Sequence, residues 1–268
     1  MITQYVKQIK EEQAKARVLP RQAKPMFLSK VKSVSQYIMS QLQRSDISVR
    51  EKFVLARDQA LFKLQFFAGD RASDISNILT QELKELPDKS GFVFQHTFGK
   101  TLRGDRNINT FVVKRCADEH ICPIRGLELY FSRARSWSVD LSNGYLFRPV
   151  LDGGLVLNDV LTYSSIYDRL IKYLTTLGIY DGETPHSMRA GCAISMTMTS
   201  DNASQSGVMQ HIGWKSPRSM DYYSRATLIR DASHVASALA DSVPDNKKVE
   251  QFFNENSSFS SLTPAFNK

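Results

Sequence analysis

His186-Ser187-Met188-Arg189 sets an imidazole and a guanidinium one helical turn apart, and His211-Ile212-Gly213-Trp214 follows downstream. Tyr223 stands nine residues beyond Trp214. An imidazole, a planar cation, an indole N–H and a phenol are the parts with which a phenol oxygen can attack a phosphodiester. The guanidinium meets phosphate oxygens with paired N–H donors in a fixed plane. The chemistry expected of such a set is a covalent attack on DNA that needs no metal ion. Taken singly, each feature has an ordinary structural use. Most His-x-x-Arg pairs do nothing chemical, Tyr222-Tyr223 on an amphipathic helix supplies one core ring and one surface ring, and Gly-Trp is normally packing. Their order and spacing together carry the reading.

Elements that would position these groups are visible nearby. Thr184-Pro185-His186 places an N-capping residue, a proline at the first helical position and then the helix body. On that helix His186 and Arg189 share a face, close to unpaired backbone N–H groups and the positive end of the dipole. Gly213 predicts the end of a helix over about 204–212, with Trp214 in the turn beyond it. Ser216-Pro217 repeats the helix opening, and that helix would carry Tyr222 and Tyr223.

Upstream, helical spacing of apolar residues predicts helices over 2–17, 27–43 and 49–67. The last carries a stripe of Phe53, Leu55, Ala60, Leu61, Leu64 and Phe67 and stops at Gly69-Asp70. Leu19 to Pro25 holds two prolines and two cations and reads as a stiff basic linker. Phe92–Phe98 and Phe111–Val113 are rich in β-branched and aromatic residues and predict strands, joined by the basic connection Gly99–Asn107. Pro123 opens a helix over about 123–136, Asn143-Gly144 marks a turn before the short apolar run Tyr145-Leu146-Phe147, and helices dominate from about 160 to 240. The whole reads as mainly α with a small antiparallel β-sheet. The Ser-, Asn- and Lys-rich stretch 244–268 is expected to be flexible or to dock on a partner.

Composition bounds the alternatives. An apolar fraction of 42% with 23% charged residues is that of a globular protein, and 268 residues suffice for one substantial core. No apolar run reaches the ~18 residues of a membrane span, and the first residues lack the apolar core of a secretory signal. Cys116, Cys122 and Cys192 cannot all pair, so a reduced, intracellular and non-secreted protein is expected. The net charge of +8 suits a polyanion, since neutralising phosphates releases counterions. Cys116, His120 and Cys122 come nearest to a zinc pattern but lack a fourth ligand, so no metal site is assigned. His211 could touch phosphate or close its helix on a backbone carbonyl. Arg103, Arg106, Lys114 and Arg115 flank the hairpin and could track a DNA backbone, although such cations are commonly solvated strand edges.

Over about residues 20–240 the sequence resembles the catalytic domain of the tyrosine recombinase, or phage-integrase, family. Arg71 in Gly69-Asp70-Arg71-Ala72-Ser73-Asp74 matches the first catalytic arginine, with Asp74 at the acidic position that buttresses it. Lys100 matches the β-hairpin lysine, and His186 and Arg189 match His-x-x-Arg. Trp214 holds a position occupied by histidine or tryptophan, and Tyr223 rather than Tyr222 matches the nucleophile. Gly144–Arg148 resembles a recurrent strand-like segment, and the wording is most similar to recombinases of eukaryotic mobile elements of Crypton or DIRS type.

The resemblance implies a site-specific recombinase or integrase that cleaves and rejoins DNA through a 3′-phosphotyrosine link. In that scheme His186 helps deprotonate Tyr223 and Lys100 protonates the leaving 5′-oxygen, with His211 as a supporting residue. Trp214 donates an N–H but has no acceptor, so it orients and does not act as a base. One ester replaces another, so neither ATP nor any other cofactor is implied. The expected organisation is a residual helix of a core-binding domain at 1–18, a linker at 19–25, the catalytic domain at 26–243 and the tail at 244–268. Such a chain resembles a catalytic fragment or a naturally truncated protein. The expected partners are double-stranded DNA and three further copies in a homo-tetramer on paired sites, with an isolated fragment monomeric. Location would be nuclear for a eukaryotic mobile element and cytoplasmic otherwise. Two rival readings are a type IB topoisomerase-like nicking-closing enzyme and a non-catalytic DNA-binding protein derived from a mobile element.

Overall fold

In α1 (Leu28–Leu42), Val31, Val34, Ile38 and Leu42 recur at helical steps and bury one face. The computed structural model describes residues 11–12, 24–98, 108–199 and 205–217. Apart from Glu11 and Glu12, the helix expected over 2–17 lies outside the described residues, as do most of the basic linker, the hairpin connection 99–107 and everything after Pro217.

Helix α2 (Val49–Ala68) is opened by a capping box: the Ser48 hydroxyl accepts from the Glu51 N–H at 3.2 Å, and the Glu51 carboxylate accepts from the Ser48 N–H at 2.9 Å. It ends where Gly69 turns left-handed at φ 60°, its N–H donating to the Phe66 carbonyl. The sequence suggests a single buried stripe, but the structure encloses almost the whole circumference, Arg57, Asp58, Gln59, Lys63 and Gln65 included. Polar groups survive there because they are partnered. Asp58 accepts from Arg57 at 2.7 Å and from the Tyr173 hydroxyl at 2.7 Å, and Lys63 donates to the Glu119 carbonyl at 2.8 Å.

Beyond α2 come the short α3 (Ala72–Ile75), a 3-10 turn (Thr80–Glu82) and an antiparallel sheet of β1 (Leu83–Glu85), β2 (Gly91–His96) and β3 (Asn109–Lys114) in that order. Phe94 pairs with Phe111 across β2 and β3, their rings stacked with centroids 4.9 Å apart. β1 is not foreseen by the sequence, because Leu83-Lys84-Glu85 is too short to show alternation and has no β-branched residue.

α4 (Pro123–Ser136) begins at its proline, and the Cys122 sulfur caps it by accepting the Arg125 N–H at 3.5 Å. That sulfur also accepts the Cys116 N–H at 3.4 Å. Among the described residues no group of His, Cys, Asp and Glu is arranged to hold a metal. Gly144 turns at φ 85°, and Tyr145 makes one isolated bridge to Leu79 rather than a full strand. α5 (Tyr163–Thr176), α6 (Pro185–Thr199) and α7 (Gln205–Ile212) complete the order. No described helix is long and apolar enough to cross a membrane.

Candidate active site

The last carbonyls of a helix have no partner within it and carry the negative end of its dipole. At the end of α2 these groups are claimed by the residues singled out from the sequence. The Arg189 Nη1 donates to the Gly69 carbonyl at 2.7 Å and to the Ile212 carbonyl, the end of α7, at 3.0 Å. His211 Nε2 pairs with the Phe67 carbonyl at 2.8 Å, so its backbone partner lies on α2 rather than on its own helix. Asp70 follows directly: its Oδ1 accepts the Arg71 N–H at 2.8 Å and lies 3.7 Å from Arg189 Nη1. Arg71 then stands at the N-cap position of α3, and its Nη1 donates to the buried Asp74 carboxylate at 3.2 Å.

α6 brings His186 and Arg189 to this point. Pro185 takes the first helical position, and the Ser187 hydroxyl accepts the Thr184 N–H at 2.9 Å, closing the first turn. Two outside contacts fix that turn: Gln65 of α2 donates to the Pro185 carbonyl at 2.8 Å, and the Met26 N–H donates to the Ser187 carbonyl at 2.9 Å. Gly191 lets the chain before α1 lie flat on α6, since a Cβ there would fall 1.8 Å from the Met26 carbonyl oxygen. Burial first, and then the charges of Arg189 and Arg71, hold the His186 imidazole below its ordinary pKa. It is therefore neutral near pH 7 and able to accept a proton. Arg189 is wholly buried, whereas Arg71 is 25% exposed and the more accessible of the two guanidiniums.

Trp214 is placed by the way α7 ends. Its N–H donates to the Met209 carbonyl at 2.8 Å while the Gly213 N–H donates to Gln210 at 3.1 Å, the paired bonds of a Schellman motif, with Gly213 at φ 74°. The indole packs on Ala193, Val208 and Ile212, and the Arg189 Cζ lies 5.4 Å from its ring centroid.

Arg71, Asp74, His186, Arg189, His211 and Trp214 thus gather around the end of α2. Lys100, Arg103, Arg106 and Tyr223 lie outside the described residues. Lys114 pairs with Gly91, at the opposite end of the hairpin from the His96–Asn109 pair beside the site. Arg115, next to it, is engaged by Glu128 at 3.1 Å. Neither belongs to the cluster. Two buried residues join it that the sequence reading passed over. In sequence Asp70 reads only as part of a stop signal, and His96, its Nδ1 3.4 Å from Asp70 Oδ2, stands inside an aromatic strand. The available signal was a histidine at a core-facing position of a half-apolar strand, which requires a polar partner inside.

No protein-family model and no curated protein matches the chain. Solved structures do. One is the XerH site-specific recombinase bound to palindromic difH substrate in a post-cleavage complex, at 14% identity and TM-score 0.57, covering 81% of this chain and 54% of that one. XerA recombinase matches at 18% identity and TM-score 0.51, over 81% of this chain and 66% of that one. The Tn1549 transposon integrase in complex with transposon right end DNA matches at 11% identity and TM-score 0.51, over 82% and 70%. The chain spans about half the length of the XerH protein. The shared feature is architecture: mostly helical with a small antiparallel sheet, the fold of a tyrosine recombinase catalytic domain.

Proposed function

We propose that this protein is a site-specific DNA recombinase or integrase that breaks and rejoins double-stranded DNA through a 3′-phosphotyrosine intermediate, with Tyr223 as the nucleophile. The observation that carries the reading is the convergence on one helix end of Arg71, His186, Arg189 and Trp214, drawn from separate parts of the chain, with His186 kept neutral between two guanidiniums.

The Tyr223 oxygen attacks the phosphorus in line and forms the new ester as the bond to the 5′-oxygen breaks. A free phenol has a pKa of ~10, so its proton must pass to a base, and His186 is suited to take it. Arg71 and Arg189 hold the non-bridging oxygens as charge grows on them, and Trp214 sets the orientation of Arg189 from its ring face. Lys100 returns a proton to the leaving 5′-hydroxyl. Attack of that hydroxyl, or one from a second duplex, on the phosphotyrosine reseals the strand. Action as a tetramer on paired sites, kinship with Crypton or DIRS elements and a nuclear address belong to the same proposal.

The test is covalent capture on an end-labelled pool of nicked duplexes with randomised sequence. Wild type is expected to form an adduct and Tyr223→Phe to form none while still binding DNA. An adduct surviving Tyr223→Phe and lost in Tyr222→Phe would move the nucleophile by one residue. Supercoil relaxation without strand exchange between two marked duplexes would identify a nicking-closing enzyme instead.

A further inference from the structure

Behind the two guanidiniums lies a layer of buried ionisable groups that the proposed reaction does not use. Asp70 sits between α2 and α3 and faces three ways, toward the Arg71 N–H at 2.8 Å, Arg189 at 3.7 Å and His96 at 3.4 Å. His96 closes β2 and is buried. Its neighbour Thr97 is held in turn, its N–H donating to the buried Glu82 carboxylate at 2.9 Å and its hydroxyl bonding the same group. Lys100 lies four residues beyond His96 in sequence.

We propose that Asp70 and His96 form a positioning pair that fixes the Arg189 guanidinium and the Arg71 main chain and ties both to the end of β2. This rests on the recombinase reading. The geometry gives each member a task. A lone carboxylate at Asp70 could swing toward either arginine, and a charged imidazole 3.4 Å from its far oxygen, an ion-pair contact rather than a hydrogen bond, opposes that swing. The pair also sets the charge of the layer. The carboxylates that act on His96 are those of Asp70, Glu82 and Asp74, and the cations sharing them are Arg71 and Arg189. The cross-strand partner of His96 on β3 is the neutral Asn109. Among the described residues, three carboxylates meet three cations when His96 is protonated, and one carboxylate is left without a counter-charge when it is neutral. Burial, the largest single influence, favours the neutral ring, but the carboxylates of Asp70, Glu82 and Asp74 acting together lift the imidazole above its ordinary value.

The test uses the full chain, by NMR without DNA and by adduct formation on the nicked-duplex pool. In wild type, His96 is expected to titrate above 6.5 and the Arg189 side-chain N–H groups to exchange slowly with water. Asp70→Asn should lower the His96 value, speed that exchange and cut the adduct rate on the order of 10²-fold, the cost of a misplaced reacting geometry. His96→Asn, which keeps an N–H donor, should retain more rate than His96→Leu, and this comparison stands if Asp70→Asn does not fold. Unchanged adduct rate and unchanged Arg189 exchange in His96→Leu would overturn the positioning role. If wild type itself forms no adduct, the recombinase reading falls, and the Arg189 exchange and His96 titration decide the pair separately.

Discussion

Arg189 is first a fastener between helices, and the proposed reaction gives the same side chain a chemical task. Its Nη1 bridges the final carbonyls of α2 and α7 while its plane faces Trp214. Lysine carries one compact charge and cannot reproduce that fork. Arg189→Lys should therefore lower the adduct rate on the order of 10²–10³-fold, a loss measurable by single-turnover capture with little change in DNA affinity. Buried His96 and half-buried His186 give opposite pH signatures. His96, raised in the fold, adds stability that is complete below its ordinary value of 6.5 and is lost as pH climbs through its folded value. His186, depressed in the fold, costs stability once pH falls below 6.5. Thermal unfolding across pH 5–9 should accordingly lose its high-pH decline in His96→Leu and its low-pH decline in His186→Asn. His186, Arg189 and Trp214 are legible in sequence because their spacing is local to adjoining helices. Asp70 and His96 are not, since their pairing exists only after β2 has docked beside α2.

Glycine decides how closely the elements meet. Gly191→Ala would drive a methyl into the Met26 carbonyl and push α6 from the chain that crosses it. A loss of about 1–3 kcal/mol is expected, read as a lower unfolding midpoint. Gly213→Ala would force a left-handed alanine with its Cβ 2.9 Å from Asn109, and should cost about 1–2 kcal/mol. Displacement of Trp214 should reduce adduct formation beyond the loss of stability. Helix boundaries are readable where starts and stops are chemical: Gly69 and Gly213 end α2 and α7, and prolines start α4 and α6, whereas the Ser48–Glu51 capping box emerges only with the structure. The circumference of α2 is not readable, since a helix surrounded on all sides carries polar residues whose partners, Tyr173, Glu119 and Arg148, come from distant sequence.

At the scale of the whole molecule, the net charge of +8 predicts DNA binding that weakens steeply as salt rises. The proposed transesterification at cation-held phosphate predicts cleavage that survives a chelator; loss restored by a divalent metal would contradict that chemistry. One fastening has a mechanical consequence. The polypeptide entering α1 is buttoned to α6 at Ser187 and Gly191 through Met26, with Lys24 bound to Asp181 and Lys30 to Glu183 alongside. A pull on the chain upstream of Lys24 is thus borne first by the rod that carries His186 and Arg189. Under the proposed function, any grip that the preceding polypeptide took on a duplex would be transmitted as leverage on the two side chains assigned to bond breaking.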